Sequence, residues 1–165
     1  MNLIEKYPQE VKKILAKYPP ERKQSAVMPL LHLAQLENGF VDRHAMREIA
    51  EIAGITETDV AEIVGFYSLY HDTAEGKLRI QVCTDLSCAL RGADDFLAQL
   101  CSRLGIQPGG TTSDGLVTVE AVMCLAACDK APMFQVQGQA GISYHEKMTV
   151  EGTLDFIENA RKEVK

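Results

Sequence analysis

The chain lacks the signatures of several function classes. It has no excess of positive charge: 17 Lys and Arg stand against 23 Asp and Glu, for a net charge of −6. Phosphate contacts need clustered Lys and Arg, so no nucleic acid is expected as a partner. It has no uninterrupted apolar run near the ~20 residues of a membrane helix, so no direct membrane insertion is expected. The opening MNLIEKYPQE has no apolar signal-peptide core, and its acidic residues are unlike those of a transit peptide. A soluble, cytoplasmic protein of a reducing compartment is the expectation. An internal repeat and low-complexity tracts are also missing. So are an acid–base pair, a nucleophile triad and a phosphate loop, since Gly109-Gly110 opens no helix of that pattern. No bond-making reaction is expected of this chain alone.

What is present is a packed core and an unusual use of sulfur. Apolar residues make up 46% of the sequence. Residues 1–75 read as a helical bundle. Val11, Ile14 and Leu15 precede the breaker Pro19-Pro20. Val27, Leu30, Leu31 and Ala34 keep helical spacing before Asn38-Gly39. Met46, Ile49, Ala50 and Ala53 form one face before Gly54, and Thr56 with Asp59 predicts a capping box for a fourth helix. Short loops between such helices suit a bundle.

Residues 76–165 change period. KLRIQVC alternates, with Leu78, Ile80 and Val82 on one face, and predicts a strand. CALRGADDFLAQLCSRLG returns to helical spacing through Leu90, Ala93, Leu97, Leu100 and Leu104. LVTVEAVM, MFQVQ and GISYH predict three further strands, and TVEGTLDFIENARKE a closing helix. The order is βαβ followed by ββα. The expected fold class is therefore α+β: an N-terminal helical bundle and a thioredoxin-like α/β domain.

Four of the five cysteines fall in two close pairs, Cys83-x4-Cys88 and Cys124-x3-Cys128, separated by 35 residues. An odd cysteine count in a reducing compartment argues against structural disulfides. If the first two strands are neighbouring and parallel, both pairs reach one edge of the sheet, where ligands sit in α/β folds. Zinc prefers Cys-x2-Cys but tolerates wider pairs. A [2Fe–2S] rhomb takes two thiolates on each of two irons and suits wider loops. Cys88, at the start of the following helix, would gain thiolate character from the helix dipole. A Cys-x-x-Cys redox pair is not at this place, which disfavours dithiol exchange. Cys101 lies on an apolar helical stripe and reads as a buried small residue. His32, His44, His71 and His145 share no spacing. Phe66, Tyr67 and Tyr70 read as core in preference to a partner-facing patch. Pro132, ahead of the third strand, is a candidate cis-proline.

The segments CTDLSC, LRG at residues 90–92, GIQPGGTTSDG and CLAACDKAP resemble the 24 kDa-type subunit of NADH:quinone oxidoreductase (complex I), in the thioredoxin-like [2Fe–2S] ferredoxin family. In the helical half, ENGFVDRHAMREIAEIAGITETDVAEIVGFYSLYH is similar to the family segment ending in a Phe-Tyr pair. The resemblance implies that Cys83, Cys88, Cys124 and Cys128 bind one [2Fe–2S] cluster. It implies a partner subunit that holds FMN and oxidises NADH, and a peripheral place on the cytosolic side of a membrane complex. The same module occurs in NAD-linked hydrogenases and formate dehydrogenases. A zinc-stabilised interaction domain without redox function is the alternative of another class. Met123, Ala126 and Gly65 stand where the family more often has Glu, Gly and Thr. Ala126 would be strained if its loop requires a positive φ.

Overall fold

The computed structural model describes residues 3–163, and two compact units divide the chain after Ala74. The first unit is helical. α1 (Leu3–Lys6) and α2 (Pro8–Leu15) lead into a 3₁₀ segment, Pro20–Ala26, and then α3 (Val27–Asn38), α4 (Arg43–Ala53) and α5 (Glu57–Phe66) follow. Each boundary has a local cause. Gly39 and Gly54 end α3 and α4 in the left-handed region, where glycine carries no Cβ penalty. The Asp42 carboxylate accepts the Ala45 N–H at the start of α4. Thr56 and Asp59 complete the predicted capping box: Thr56 Oγ1 accepts the Asp59 N–H, and Asp59 Oδ2 accepts the Thr56 N–H. Leu3, Leu30, Leu31, Val41, Ile49 and Val60 fill the core of this unit.

Gln35 is buried in this unit with both ends of its amide bonded. Its Nε2 donates to the Leu69 carbonyl at 2.6 Å, and its Oε1 accepts the His71 N–H at 2.9 Å. Those bonds hold the segment that leaves α5 against α3. Of the aromatic residues in that segment, Tyr70 is half-buried and donates its hydroxyl proton to the Met28 carbonyl. Phe66 is 80% exposed, which corrects the core reading of the cluster. It closes α5 on the face away from Val60 and Val64, so helical spacing turns it outward.

The second unit is a sheet with helices. β1 (Leu78–Cys83), β2 (Gly110–Thr111), β3 (Val117–Val122), β4 (Phe134–Gly138) and β5 (Gly141–His145) lie in the order β2-β3-β1-β4-β5. β1 and β3 are parallel, with Cys83 opposite Val122, and the remaining pairs are antiparallel. The two-residue strand β2 sits in the turn-rich PGGTTSDG segment and carries no alternation of its own. Its pairing with Thr118 and Val119 creates it.

Ile80, Val82, Val119, Phe134 and Val136 pack with α7 (Ala93–Leu104) and α8 (Val150–Glu163) through Phe96, Leu97, Leu100 and Ile157. The opposite face of β1 carries Arg79, Gln81 and Cys83. Arg79 pairs with Glu75 at 2.6 Å, Gln81 donates to Glu120 at 2.8 Å, and Gln135 donates to Gln81. Buried polar groups on that face are thus partnered. Gly76 is required where the chain enters β1, because a Cβ there would stand 2.6 Å from the Thr118 nitrogen.

The segment CALRGADDFLAQLCSRLG is not one helix. A four-residue helix, α6 (Leu86–Ala89), precedes α7, and Gly92 at φ 87° separates them. The break removes Leu90 from the apolar stripe to which the spacing assigned it, and Leu90 is 80% exposed.

Candidate metal centre

The parallel pairing of β1 and β3 sends both strands out at the same edge, and each is followed by a cysteine-bearing segment. Cys83 is the last residue of β1, and its N–H donates to the Met133 carbonyl at 3.3 Å. Cys88 lies one short loop later, inside α6. Asp85 caps that turn: its side chain accepts the Leu86 N–H at 2.8 Å, and its carbonyl accepts the Cys88 N–H at 2.8 Å. Cys83 and Cys88 are buried with Ala93, Ala131 and Met133, and Leu125 and Ala127 pack beside them.

The second arm is more open. β3 ends at Val122, so Cys124 stands in the following loop and does not close the strand as its sequence suggests. Cys128 opens a single 3₁₀ turn, Cys128–Lys130. Both residues are exposed. The Ala131–Pro132 peptide is cis, and the Pro132 carbonyl accepts the Met148 N–H.

Ala126 adopts φ 58°, the left-handed conformation in which the Gly more frequent in the resembling family would carry no penalty. Its N–H thereby turns back and donates to Cys124 Sγ at 3.3 Å. A non-glycine residue in that region carries about 1 kcal/mol of steric penalty. Ala126→Gly is therefore expected to stabilise the metal-free protein by about 0.5–1 kcal/mol, part of the gain being offset by a freer unfolded chain. Denaturant unfolding of the metal-free variant checks this; a loss of stability would mean that the loop tolerates Ala126 without strain.

Electrostatics tie the two arms into one neighbourhood. The Cys88 thiol is pushed up to about 12, first by burial, then by its hydrogen bond and charge interaction with Cys83, then by Cys128 and Cys124. All three other sulfurs thus act on Cys88. Burial of the thiol, and after it repulsion by the neighbouring sulfurs, outweighs the thiolate stabilisation expected of a helix end, and α6 spans only one turn. A bound cation reverses that preference by taking the sulfurs as thiolates. Among the described residues, no three His, Cys, Asp or Glu side chains close on one point as ligands of a single ion. The donor set, all sulfur with a backbone N–H directed at it, fits an iron–sulfur rhomb.

The fifth thiol, Cys101, is buried in the α7 stripe, and burial raises its pKa. His145 stacks on Phe134 with ring centroids at 5.0 Å and meets the tilted Phe156 ring at 4.7 Å, and burial lowers its pKa. One residue at the site carries no sequence signal of its role. Arg91 donates from Nη1 to the Cys128 carbonyl at 3.1 Å, joining positions 37 apart in sequence.

The family model for thioredoxin-like [2Fe–2S] ferredoxins matches residues 11–161. NADH-quinone oxidoreductase subunit 2 of Thermus thermophilus is 41% identical over 139 residues, covering 84% of this chain and 77% of that protein. A subunit of the NADH-quinone oxidoreductase of Rhizobium meliloti is 39% identical over 153 residues, covering 93% and 88%. Among solved structures, an NAD+-reducing [NiFe]-hydrogenase in its H2-reduced state matches with a TM-score of 0.71 at 20% identity. The match covers 86% of this chain and 23% of that one, and it is a likeness of fold.

Proposed function

The chain belongs to the thioredoxin-like [2Fe–2S] ferredoxin family, and from that premise we propose that it is the one-electron carrier subunit of an NADH:quinone oxidoreductase. Cys83, Cys88, Cys124 and Cys128 hold a single [2Fe–2S] cluster. The electron partner is FMN on a neighbouring subunit that oxidises NADH. The observation that carries the reading is that both cysteine pairs follow the parallel strands β1 and β3 where these leave the sheet at one edge. The named relatives above support the choice of assembly.

Bound there, the cluster supplies storage of one electron at a time. This chain's residues do the rest. β1 and α6 fix Cys83 and Cys88 in a buried apolar cluster. The Ala126 N–H neutralises part of the charge on Cys124 Sγ. The exposed arm brings the site close to the surface, where an electron can pass to a docked partner. Three large apolar side chains adjoining the cysteines in sequence are exposed: Leu86 at 72%, Met123 at 74% and Leu90 at 80%. Large apolar groups in the open at the exit of a redox centre suit a protein surface that buries them. No helix among the described residues is long and apolar enough to cross a membrane, and attachment through the partner subunit gives a peripheral position.

Two measurements test this. Anaerobically purified protein should show absorption between ~400 and ~550 nm, an EPR signal on one-electron reduction, and about two irons and two sulfides per chain. A colourless protein with about one zinc would sink the carrier reading and leave a structural module. For docking, the double change Leu86→Asp with Leu90→Asp should lower retention of the NADH-oxidising partner on co-purification at least tenfold. Absorption should be unchanged, and normal retention would move the docking face elsewhere.

A further inference from the structure

We propose that Arg91 is a positioning residue that clasps the two cysteine arms together and sets a fixed positive charge beside the sulfurs. The inference rests on the ligand assignment above and adds to it a residue that touches no iron.

The Arg91 N–H donates to the Cys88 carbonyl at 3.0 Å, which locks the residue to the first arm. Gly92 then enters the left-handed region and diverts the chain into α7. The Arg91 backbone is thus held at the turn while its side chain crosses to the second arm. There Nη1 donates to the Cys128 carbonyl. One residue therefore bonds to the peptides of two cysteines from different arms. The second arm needs such a tie. The other bonds of residues 124–130 are local, from Ala126 N–H to Cys124 Sγ and from Lys130 N–H to the Ala127 carbonyl, until Lys147 N–H meets the Lys130 carbonyl.

The Arg91 charge has no ion-pair partner among the described residues, and nearby Asp129 pairs with Lys130 at 3.3 Å. A four-thiolate [2Fe–2S] site carries a net charge of about −2 when oxidised and about −3 when reduced, and net charge is one of the quantities that sets its potential. A guanidinium close by favours the more negative form and raises the potential. Its exposure weakens the effect, and salt screens it further. Lysine would keep the charge but not the planar donor geometry.

Three variants of the full chain separate the two functions: Arg91→Gln keeps a donor without charge, Arg91→Lys keeps charge, and Arg91→Leu keeps neither. The first readout is an EPR-monitored redox titration of the cluster-loaded protein at low salt. Arg91→Gln and Arg91→Leu should lower the reduced-to-oxidised ratio at a fixed applied potential about three- to tenfold, and Arg91→Lys should not. Wild-type titrations for both neutral variants would overturn the charge-setting function. The second readout uses metal-free protein: amide exchange at Ala126 and Lys130 should accelerate severalfold in Arg91→Leu and remain near wild type in Arg91→Gln. Unchanged exchange in Arg91→Leu would overturn the clasp. This measurement needs no cluster, so a wrong ligand assignment shows separately, as wild-type protein without a two-iron EPR signal.

Discussion

Cys124→Ser and Cys128→Ser are each expected to lose the visible absorption and at least tenfold of the retained iron, with the fold intact. Iron in these clusters is held by thiolate, and a serine hydroxyl gives up its proton far less readily than a thiol. The exposed arm is the fair place for the test, since both side chains are accessible and little packing is lost. Cys83→Ser and Cys88→Ser should lose the cluster too. They also place a hydroxyl in the apolar pocket of Ala93, Ala131 and Met133, which costs about 1–3 kcal/mol if it finds no partner. Their effect on iron must therefore be read beside circular dichroism. Cys101→Ser is the control: it should keep wild-type absorption while losing stability, because Cys101 is 2% exposed in the α7 stripe and belongs to the core on the other side of the sheet from Cys83. Iron retained at the wild-type level in Cys124→Ser would remove that residue from the ligand set. Loss of the cluster in Cys101→Ser with an intact fold would require a different set altogether.

The sequence was legible where the chemistry is local. The alternation Leu78, Ile80, Val82 delivers β1, and the strand's end delivers Cys83, because a period of two fixes both the face and the direction. The capping box at Thr56 and the glycine stops after α3 and α4 follow from backbone donors and φ alone. Ala126 was flagged by the resemblance, whose members more often carry Gly there, and the loop does hold it at φ 58°.

What escaped depends on contacts distant in sequence. β2 exists because β3 pairs with it, and two residues cannot show a period. The break at Gly92 was hidden because Leu90, Ala93 and Leu97 keep helical spacing across it, yet the chain turns there and leaves Leu90 in solvent. The apolar run LVTVEAVM extends to the residue before Cys124, but the β1–β3 register ends at Val122 and leaves Cys124 in the loop. The exposed ring of Phe66 follows the helix geometry, while its apolar character suggested core. Arg91 could not be assigned a role at all from a sequence in which its acceptor lies 37 positions away.

Phe134→Ala is expected to have the largest effect on stability, about 3–5 kcal/mol. The ring is fully buried in the second unit, with centroids at 6.3 Å from Phe96, 6.4 Å from Phe156 and 5.0 Å from His145. Its removal takes away packing from α7, α8 and β5 together, and no neighbouring backbone can close the gap without leaving the sheet. Phe134→Leu should cost less, since much of the volume remains. Native domains are stable by only ~5–15 kcal/mol, so the alanine variant removes a large share of the total. The damage should also reach the cysteines. Phe134 opposes Val82 in the β1–β4 pairing, and the residue before it, Met133, supplies the carbonyl that accepts the Cys83 N–H. Loosening β4 therefore loosens the end of β1. A chain of two units need not unfold in a single step, so circular dichroism alone could average the effect away. Cluster absorption reports the unit that holds Phe134. The denaturant midpoint for bleaching should fall well below wild type in Phe134→Ala and only slightly in Phe134→Leu. Equal midpoints for the alanine variant and wild type would mean that the stack on Phe134 is not what holds β4 against the helices.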